Sequence, residues 1–523
     1  MLLAIHFERL GPYHLARLRS ACEVLAPLGW RVVALEIAGA DATYEWERES
    51  GGGGQWERVT VFPERVFEKI PAGEMKRGIV RELDRLRPDA VAIAGWGTVD
   101  ARACLDWCKK NDAKAIVMSE TRAADGRRVW WKEWVKSRIV RRFDAALCGG
   151  ESHKRYLVQL GMPEERIACG YNVVDNQFFG KTINGECWEQ GDLTTIERGG
   201  RCEKEQPKVG PKGEGAGTSE SKDTTERLAG REMEQPKVGP KGEGVGTTES
   251  KSTELEAEAC LSAQAGDAFS NPSASELARD SETPSDTRFA VASAPSRDTR
   301  RSLPATAPEA LAGPYFLASN RFVERKNLGR LVEGYKIFQD PFFRLQGPEK
   351  TGVWPLVLLG DGELRGDLEA RCVELGLQIS DFGLAGNLKL NSYKLKTPTG
   401  GGCVVFAGFR QIGELRAFYA EAGAFVHPAL EEPWGLVINE AMASGLPVLS
   451  SRNVGAAEEL VQEGKTGFLF DPGDVNSIAE SLFKMFSMSE AARHKLGVEA
   501  REMLERKVPS RAFGEGLVKV LGT

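Results

Sequence analysis

Short, fully apolar runs alternate with amphipathic segments through the first third of the chain. A run of about four to eight apolar residues predicts a strand buried on both faces, whereas apolar spacings of three and four predict a helix. The predicted strands cover residues 2–6, 31–37, 90–94, 115–118, 145–148 and 167–171, and the predicted helices cover residues 14–25, 100–110 and 152–160. Strands that alternate with helices form a parallel sheet with right-handed crossovers, so residues 1–179 are predicted to fold as a doubly wound α/β domain.

The same alternation returns at Pro314 and continues over the remaining residues. The predicted strands cover residues 315–319, 356–359, 404–406, 424–426, 447–450 and 467–470, and the predicted helices cover residues 328–338, 415–422, 436–444, 455–462, 475–486 and 490–520. Because these elements repeat the pattern of the first domain, they predict a second doubly wound, Rossmann-like α/β domain over residues 312–523.

The composition changes abruptly between the two patterned regions. Residues 180–311 contain three aromatic side chains and are dominated by Gly, Ser, Thr, Glu, Lys and Pro. The segment EQPKVGPKGEGAG at 205–217 recurs at 234–246 with one change. Polar repeats of this kind cannot build a packed core, so we predict a low-complexity, disordered insertion with an internal duplication. A plain spacer and a region that carries partner-binding or modification sites both fit it. Residues 381–402 form a second, shorter predicted insertion.

Charge and cysteine content narrow the class of protein. The net charge of −6 argues against a nucleic-acid-binding protein, although local basic patches remain compatible with it. The ten cysteines and five histidines lack the spacing of a metal site. Scattered cysteines are typical of reduced thiols, so we predict a cytoplasmic protein. No apolar run reaches the ~20 residues of a membrane span. The apolar run at 2–6 is followed by charged residues and predicts a strand rather than a signal peptide.

The stretch 427–445, HPALEEPWGLVINEAMASG, combines the end of a strand, a break in the chain and a helix. Pro433 and Gly435 make the break, and the backbone N–H groups exposed at the start of the following helix would bind an anion. Glu432 and Glu440 flank that site. A carboxylate beside a phosphate would repel it, so we interpret both glutamates as ligands of hydroxyl groups. A diphosphate on the amides with hydroxyls on the glutamates describes a nucleotide-sugar.

Two further sequence features fit the same ligand. Arg321 and Lys326 lie in RFVERKN, directly before a predicted helix, and a guanidinium fork and an ammonium group both suit a diphosphate. Gly360 and Gly362 follow the strand predicted at 356–359 and predict a tight turn. They do not form a dinucleotide-binding fingerprint, which requires G-x-G-x-x-G after a first strand.

The segment Glu432-Pro433-Trp434-Gly435, with Glu440 five residues further on, resembles the signature of the retaining glycosyltransferases of the glycosyl transferase group 1 family, also called family 4. In that signature seven residues separate two glutamates. The resemblance implies the GT-B architecture, in which two doubly wound Rossmann-like domains face each other across a cleft and the terminal helix crosses back to the first domain. It also implies transfer of a sugar from a nucleoside-diphosphate donor to a hydroxyl acceptor, with retention at the anomeric carbon and with no metal or further cofactor.

The resemblance assigns roles to single residues. Arg321 and Lys326 would stabilise the leaving nucleoside diphosphate. Glu432 would contact the donor sugar, and Glu440 would bind the ribose hydroxyls. The other implied donor-binding residues are Gly360, Gly362, Gly408, Phe409, Arg410, Pro433, Gly435 and Leu436. The three consecutive residues at 408–410 match the place where relatives contact the base.

In this family the first domain receives the acceptor at the carboxyl ends of its strands. Many members have a histidine just after the strand that here is predicted to end at Met118, but this chain has Ser-Glu-Thr-Arg at 119–122. Glu120 either replaces the missing contact or has a structural role. Trp96 and His14 are further acceptor-side candidates, and a structural role is the alternative for a lone helical histidine such as His14.

Residues 127–142, RRVWWKEWVKSRIVRR, hold seven basic residues, one acidic residue and three tryptophans. Such a helix is compatible with an anionic membrane surface, where the protein would be peripheral and would meet a lipid-linked acceptor. The alternative is a helix that packs its tryptophans into the core and leaves its arginines in water.

Two other classes of function remain open from the sequence. One is a binding or scaffold protein that keeps the GT-B fold without activity. The departure at 119–122 and the long insertion favour this alternative, and the intact basic and acidic residues of the donor site oppose it. The other is a nicotinamide-dependent oxidoreductase, which the lack of a glycine fingerprint after the first strand opposes.

Overall fold

The computed structural model describes residues 1–41, 46, 55–126, 128–180, 314–340, 352–381 and 402–522. All of these residues belong to one compact unit. Apart from Gly180, the insertion predicted at 180–311 lies outside the described residues, and so do residues 382–401 of the second predicted insertion. Within the described ranges, no helix is both long enough and apolar enough to cross a bilayer.

The first domain is built on a parallel sheet of seven strands in the order β3-β2-β1-β4-β5-β6-β7. The strands are β1 Leu2–Phe7, β2 Arg31–Ala40, β3 Glu57–Val66, β4 Ala90–Ala94, β5 Lys114–Ser119, β6 Ala145–Cys148 and β7 Ile167–Cys169. The helices are α1 Pro12–Leu25, α2 Ala72–Leu86, α3 Val99–Asn111, α4 Trp130–Val140, α5 Glu151–Gln159 and α6 Asn176–Gly180. The strand order reverses between β1 and β4, which is where such sheets bind ligands.

The second domain repeats this plan with a parallel sheet in the order β10-β11-β9-β8-β12-β13-β14. The strands are β8 Phe316–Ser319, β9 Leu356–Leu359, β10 Gln378–Asp381, β11 Cys403–Gly408, β12 Ala424–His427, β13 Val448–Ser451 and β14 Gly467–Phe470. The helices are α7 Leu328–Gln339, α8 Arg365–Glu374, α9 Ile412–Glu421, α10 Leu436–Ala443, α11 Gly455–Leu460, α12 Val475–Ser487, α13 Glu490–Lys507 and α14 Ala512–Leu521. The order reverses between β8 and β12.

Several of the strands that the apolar runs predicted are buried along their whole length. Every residue of β6, β8, β9, β11, β12 and β13 is buried, as expected for strands covered by helices on both faces. The predicted GT-B architecture with two doubly wound domains is therefore confirmed. The sequence analysis did not predict β3, α2, α6, α8 and β10.

The last helix, α14, returns to the first domain, as the resemblance implied. It packs against α1 and against β6 and β7. The packing is so close that a Cβ on Gly514 would lie 2.3 Å from the carbonyl oxygen of Ser20. The backbone N–H of Gly514 donates a hydrogen bond to the hydroxyl of Ser20. The second half of the chain thus completes the core of the first domain.

Candidate active site

A cavity of about 820 Å³ lies between the two sheets, at the carboxyl ends of the strands of both. Residues that follow β1, β4 and β5 line one side, and residues that follow β8, β9 and β12 line the other. The cavity therefore contains the point of strand-order reversal of each domain, the expected place for a ligand of an open α/β sheet.

Most residues predicted for the site line this cavity. They are Arg321, Lys326, Glu432, Gly360, Phe409, Arg410, Gly435, Leu436, His14, Trp96 and Glu120. The other four predicted residues, Gly362, Gly408, Pro433 and Glu440, are not part of the cavity lining. Gly362 packs against the backbone of Phe322, and the carbonyl of Gly408 accepts a hydrogen bond from the N–H of Gly360. The carbonyl oxygen of Pro433 is hydrogen-bonded to His153, and Glu440 is fully buried. A Cβ on Gly360 would lie 1.9 Å from the carbonyl oxygen of Asn320, so this glycine lets the 360–362 turn reach the segment that carries Arg321.

Lys326 is placed by the short 3₁₀ turn Glu324–Lys326 that connects β8 to α7. Asn327 ends this turn with a φ of 58°, a left-handed conformation that asparagine tolerates better than most residues. Its side-chain amide donates to the carbonyls of Pro428 and Pro472, at 3.0 and 2.8 Å. The asparagine therefore fixes the turn to the segment after β12 and brings Lys326 beside the glutamate-rich loop.

Glu432 joins two cations of this turn. Oε2 of its carboxylate lies 2.5 Å from Nζ of Lys326 and 2.9 Å from Nη1 of Arg325. Burial lowers the pKa of Lys326, whereas the charge and hydrogen bond of Glu432 act in the opposite direction. The Lys326 side chain is 11% exposed and the Arg325 side chain 52% exposed, so the lysine is the enclosed member of the pair.

The helix α10 begins at Gly435, where the chain turns with a φ of 96° that favours glycine. Leu436 and Val437, in its first turn, line the cavity, so the helix start is directed toward the same space as the cations. A Cβ on Gly435 would lie 3.4 Å from Nε2 of His427, the last residue of β12. The N–H groups at this helix start and the charges of Lys326 and Arg325 suit an anionic ligand.

His427 is fully buried next to this helix start. Among the described residues neither of its ring nitrogens has a hydrogen-bond partner. Burial, together with the nearby charges of Lys326 and Arg325, holds its pKa well below the usual value, so the ring is neutral. A buried imidazole with an unmet donor is costly unless a ligand meets it.

Glu440 is fully buried within α10 and accepts two hydrogen bonds. The hydroxyl of Tyr13 in α1 donates to Oε1 at 2.6 Å, and the hydroxyl of Tyr419 in α9 donates to Oε2 at 2.7 Å. Burial raises the pKa of Glu440 to about 7, and the two hydroxyls oppose this shift. Tyr13 lines the cavity, so Glu440 is one hydrogen bond away from it.

Two residues of the first domain bind the backbone of the loop that carries Glu432. Nη2 of Arg122 donates to the carbonyls of Glu432 and Asn453, at 2.7 and 3.0 Å. Nε2 of His153 lies 3.1 Å from the carbonyl oxygen of Pro433. The segment 119–122, which departs from the family pattern, therefore holds the two domains together.

An aromatic group forms the end of the cavity near 408–410. The ring of Trp46 meets Phe409 edge-on at 5.0 Å and Tyr13 at 6.4 Å. Arg410 donates from Nε to the carbonyl of Ala407 at 3.0 Å. Flat rings of this kind suit a nucleobase.

The acceptor-side candidates lie opposite the cations. Glu120 is 3.3 Å from Nη2 of Arg17, and burial raises the pKa of Glu120, with Arg17 opposing and Glu432 reinforcing the shift. Burial lowers the pKa of His14 to about 3, so this histidine is neutral. Its Nδ1 accepts from the N–H of Gly11 at 2.9 Å, which leaves Nε2–H as a donor. Trp96 is buried and lines the same side.

One region of the chain matches the model of a known protein family. Residues 304–503 match the model of the family described as glycosyl transferases group 1. The matched residues lie in the second half of the chain and include all the predicted donor-side residues.

Curated relatives match parts of the chain. Sulfoquinovosyl transferase SQD2 of Arabidopsis thaliana is 44% identical over 104 residues, which is 20% of this chain and 20% of that protein. The lipopolysaccharide core biosynthesis glycosyltransferase LpsE of Rhizobium meliloti is 28% identical over 210 residues, which is 40% of this chain and 50% of that protein. The matches span between a fifth and a half of these two relatives.

Solved structures of known proteins are similar to this chain in fold. HepE of Anabaena, in complex with UDP and glucose, has a TM-score of 0.54 at 12% identity, with 100% of this chain and 99% of that chain covered. Sucrose-phosphate synthase from Thermosynechococcus elongatus has a TM-score of 0.55 at 15% identity, with 100% and 98% covered. At this identity the likeness concerns the fold.

Sequence analysis did not single out four residues that shape the site: Arg325, His427, Tyr13 and Arg122. Arg325 stands between the two predicted cations of RFVERKN, and His427 directly follows a predicted strand, so position alone could have indicated both. Tyr13 and Arg122 act on residues more than 300 positions away, and no local pattern contains that information.

Proposed function

We propose that this protein transfers a sugar from a nucleoside-diphosphate donor to a hydroxyl acceptor, with retention at the anomeric carbon. One observation carries the proposal: Lys326, Arg325 and Glu432 meet beside the start of α10, in the cavity between the two sheets. Cations at a helix start suit a diphosphate, and a carboxylate suits sugar hydroxyls. The match of residues 304–503 to the model of the glycosyl transferases group 1 supports the same activity.

The proposed reaction places two demands on the site. The bond between the anomeric carbon and the phosphate oxygen breaks, and the acceptor oxygen bonds to that carbon on the same face. The nucleoside diphosphate leaves with the electron pair, and the acceptor hydroxyl gives its proton to an oxygen of the departing phosphate. Negative charge therefore grows on the departing phosphate while the sugar carbon becomes oxocarbenium-like. Fixed positive groups and exclusion of water both favour this transition state.

The donor-side residues meet these demands in the proposal. Lys326, Arg321 and the N–H groups at the start of α10 stabilise the departing diphosphate. Lys326 is little exposed, so water screens its charge weakly and the charge acts strongly at short range. When a donor enters, Lys326 exchanges Glu432 for the phosphate, and the carboxylate binds a sugar hydroxyl. Because these groups supply the positive charge, we propose that the reaction requires neither a metal nor a second cofactor.

The first domain would bind the acceptor. Glu120 is oriented by Arg17 and faces the cavity, so it can accept a hydrogen bond from the acceptor hydroxyl. Nε2–H of the neutral His14 supplies a donor on the same side. The aromatic end formed by Trp46 and Phe409 would hold the base of the donor.

The decisive experiment combines binding and turnover. A panel of nucleotide-sugars is added to the full chain and the melting temperature is measured, starting with UDP-sugars because HepE of the same fold is described with UDP and glucose. Donors that raise the melting temperature are then assayed for transfer, with the anomeric configuration of the product read by NMR and with EDTA present. We expect one donor class to bind and to react with retention. Binding without turnover would favour the scaffold alternative, and a response to none of the donors would contradict the proposal.

A further inference from the structure

The outer face of α4 carries an unusual group of exposed side chains. Trp130, Trp131, Trp134 and Val135 are 81%, 51%, 55% and 42% exposed. The other tryptophans in the described ranges are buried or half-buried. The alternative that this segment packs its tryptophans into the core is therefore wrong. We call Trp130, Trp131, Lys132, Trp134, Val135 and Arg138 the tryptophan patch.

The inner face of α4 explains why the rings face outward. Glu133 binds Lys136 at 2.8 Å and accepts from the hydroxyl of Tyr156 at 2.7 Å. The hydroxyl of Ser137 donates to the carbonyl of Leu160 at 2.6 Å. Val140 is fully buried. Because these contacts fix the inner face on α5 and the segment after it, the tryptophans cannot turn inward without breaking them.

The charges of the patch have one sign. Nζ of Lys132 lies 5.5 Å from the centre of the Trp131 ring, and Cζ of Arg138 lies 4.6 Å from that of Trp134. Glu133 is the one acidic residue between 127 and 142, and its carboxylate is engaged on the inner face. The patch thus combines large amphipathic rings with adjacent cations on a chain whose net charge is −6.

We infer that the tryptophan patch docks on the surface of an anionic lipid bilayer. Tryptophan rings prefer the boundary between headgroups and acyl chains, and cations beside them meet anionic headgroups. The patch is positive although the whole protein is acidic, so a negatively charged surface attracts it. The tryptophan rings provide the apolar contact with the bilayer. A cation near such a surface contributes roughly a fivefold gain in affinity.

The position of the patch also bears on the acceptor, and this step rests on the proposed function. Nine residues lie between Glu120 in the cavity and Trp130 in the patch. Arg122, one of them, is fixed to the carbonyl of Glu432. A bilayer on the patch would therefore contact the domain that lines the acceptor side of the cavity. The acceptor class that this favours is a lipid with a hydroxyl-bearing headgroup.

The test uses the full chain and vesicles, and it does not depend on turnover. Sedimentation is compared with vesicles of phosphatidylcholine alone and of phosphatidylcholine mixed equally with phosphatidylglycerol. One variant combines Trp130→Ser, Trp131→Ser and Trp134→Ser. A second combines Lys132→Gln and Arg138→Gln of the patch with Arg141→Gln, an exposed arginine directly after α4. The matched charge control combines Lys495→Gln, Arg506→Gln and Lys507→Gln, which changes three exposed cations of α13 in the other domain.

We expect salt-sensitive binding to the anionic vesicles alone, with at least tenfold weaker binding in both patch variants and no change in the control. Tryptophan fluorescence should shift to the blue on binding, and brominated lipids should quench it in the wild type but not in the serine variant. All substituted residues are exposed, so the melting temperature should stay unchanged. Three outcomes would overturn the inference: no binding at low salt, equal binding to both vesicles, or self-association that depends on the tryptophans in the absence of vesicle binding.

Discussion

The hydroxyl of Tyr13 donates a 2.6 Å hydrogen bond to Oε1 of Glu440, which links the first helix of one domain to the donor-side helix of the other. Tyr419 makes the equivalent bond to Oε2 from within the second domain. Glu440 is the residue to which the family resemblance assigns the ribose hydroxyls. A residue of the first domain is therefore hydrogen-bonded to a residue that is proposed to bind the donor, so a shift of the first domain would disturb the donor site.

Tyr13→Phe should weaken the contact between the domains. The substitution removes one donor from a buried carboxylate, which costs about 1–3 kcal/mol of unfolding free energy. Urea unfolding measures this cost. The matched control is Tyr419→Phe, which removes the same bond within one domain. We expect similar losses of stability from both, but a larger change in donor affinity from Tyr13→Phe, since only that variant loosens the cleft. Equal donor affinities in the two variants would refute the domain link.

Glu440 should make stability depend on pH in a defined window. Its pKa is about 7 in the folded protein against an ordinary value of 4.5. Between these values the folded state binds a proton that the unfolded state does not, so stability falls as the pH rises from 4.5 to 7. The total effect is about 3 kcal/mol. Glu440→Gln should remove this slope in urea unfolding at pH 5 to 8, where an unchanged slope would exclude Glu440 as its source.

Lys326→Ala should lower turnover by two to three orders of magnitude, roughly the effect of removing one oxyanion donor. The melting temperature should change little, because the partner Glu432 can still bind Arg325. Lys336→Ala, an exposed lysine of the helix α7, is the control and should keep full activity. Wild-type turnover of Lys326→Ala would remove this lysine from the mechanism.

His427→Phe should move two measurements in opposite directions. An aromatic ring is kept, and the loss of two buried nitrogens that have no partner among the described residues should leave the melting temperature equal or higher. If His427 donates to the donor phosphate, its removal should weaken donor binding about tenfold or more, since hydrogen bonds to charged groups contribute about 1.5–3 kcal/mol. Isothermal titration with the donor measures this change. Unaltered binding would show that the histidine has no part in it.

Deletion of residues 185–308 should leave a folded, active protein. Both flanks of the segment are fixed in the folded unit, because the carbonyl of Gly180 accepts from Arg501 at 2.7 Å and the hydroxyl of Tyr315 donates to the carbonyl of Phe418 at 2.7 Å. Loop length contributes only logarithmically to the closure entropy. A calorimetric scan and the transfer assay test the deletion, and loss of the melting transition would show that the segment is structural.

The sequence predicted the buried parts of the fold better than its edges. Central strands such as β5 and β12 contain continuous apolar runs, which are rare in elements that have a water-exposed face. The apolar pattern alone was therefore sufficient to predict these strands. β3 lies at an edge of its sheet, alternates in burial and contains Pro63, which local rules count against a strand. α2 buries only a narrow stripe of its surface, at Met75, Gly78, Ile79 and Leu83.

For the site, the sequence identified the chemistry but not its connections. Arg321, Lys326 and Glu432 were recognisable because each stands in a short motif, and all three line the cavity. The pairing of Glu432 with Lys326 and the burial of Glu440 depend on contacts between distant segments. No spacing along the chain encodes those contacts. The ribose role of Glu440 stays a prediction that the two tyrosine bonds make testable.

The return of α14 to the first domain has a consequence for synthesis. The surface of β6, β7 and α1 that this helix covers stays open to water until residues 512–521 have left the ribosome. The core of the first domain is therefore complete only after the second domain has been translated. During that interval an apolar surface is exposed, so slow translation of the second half should increase the demand for chaperones.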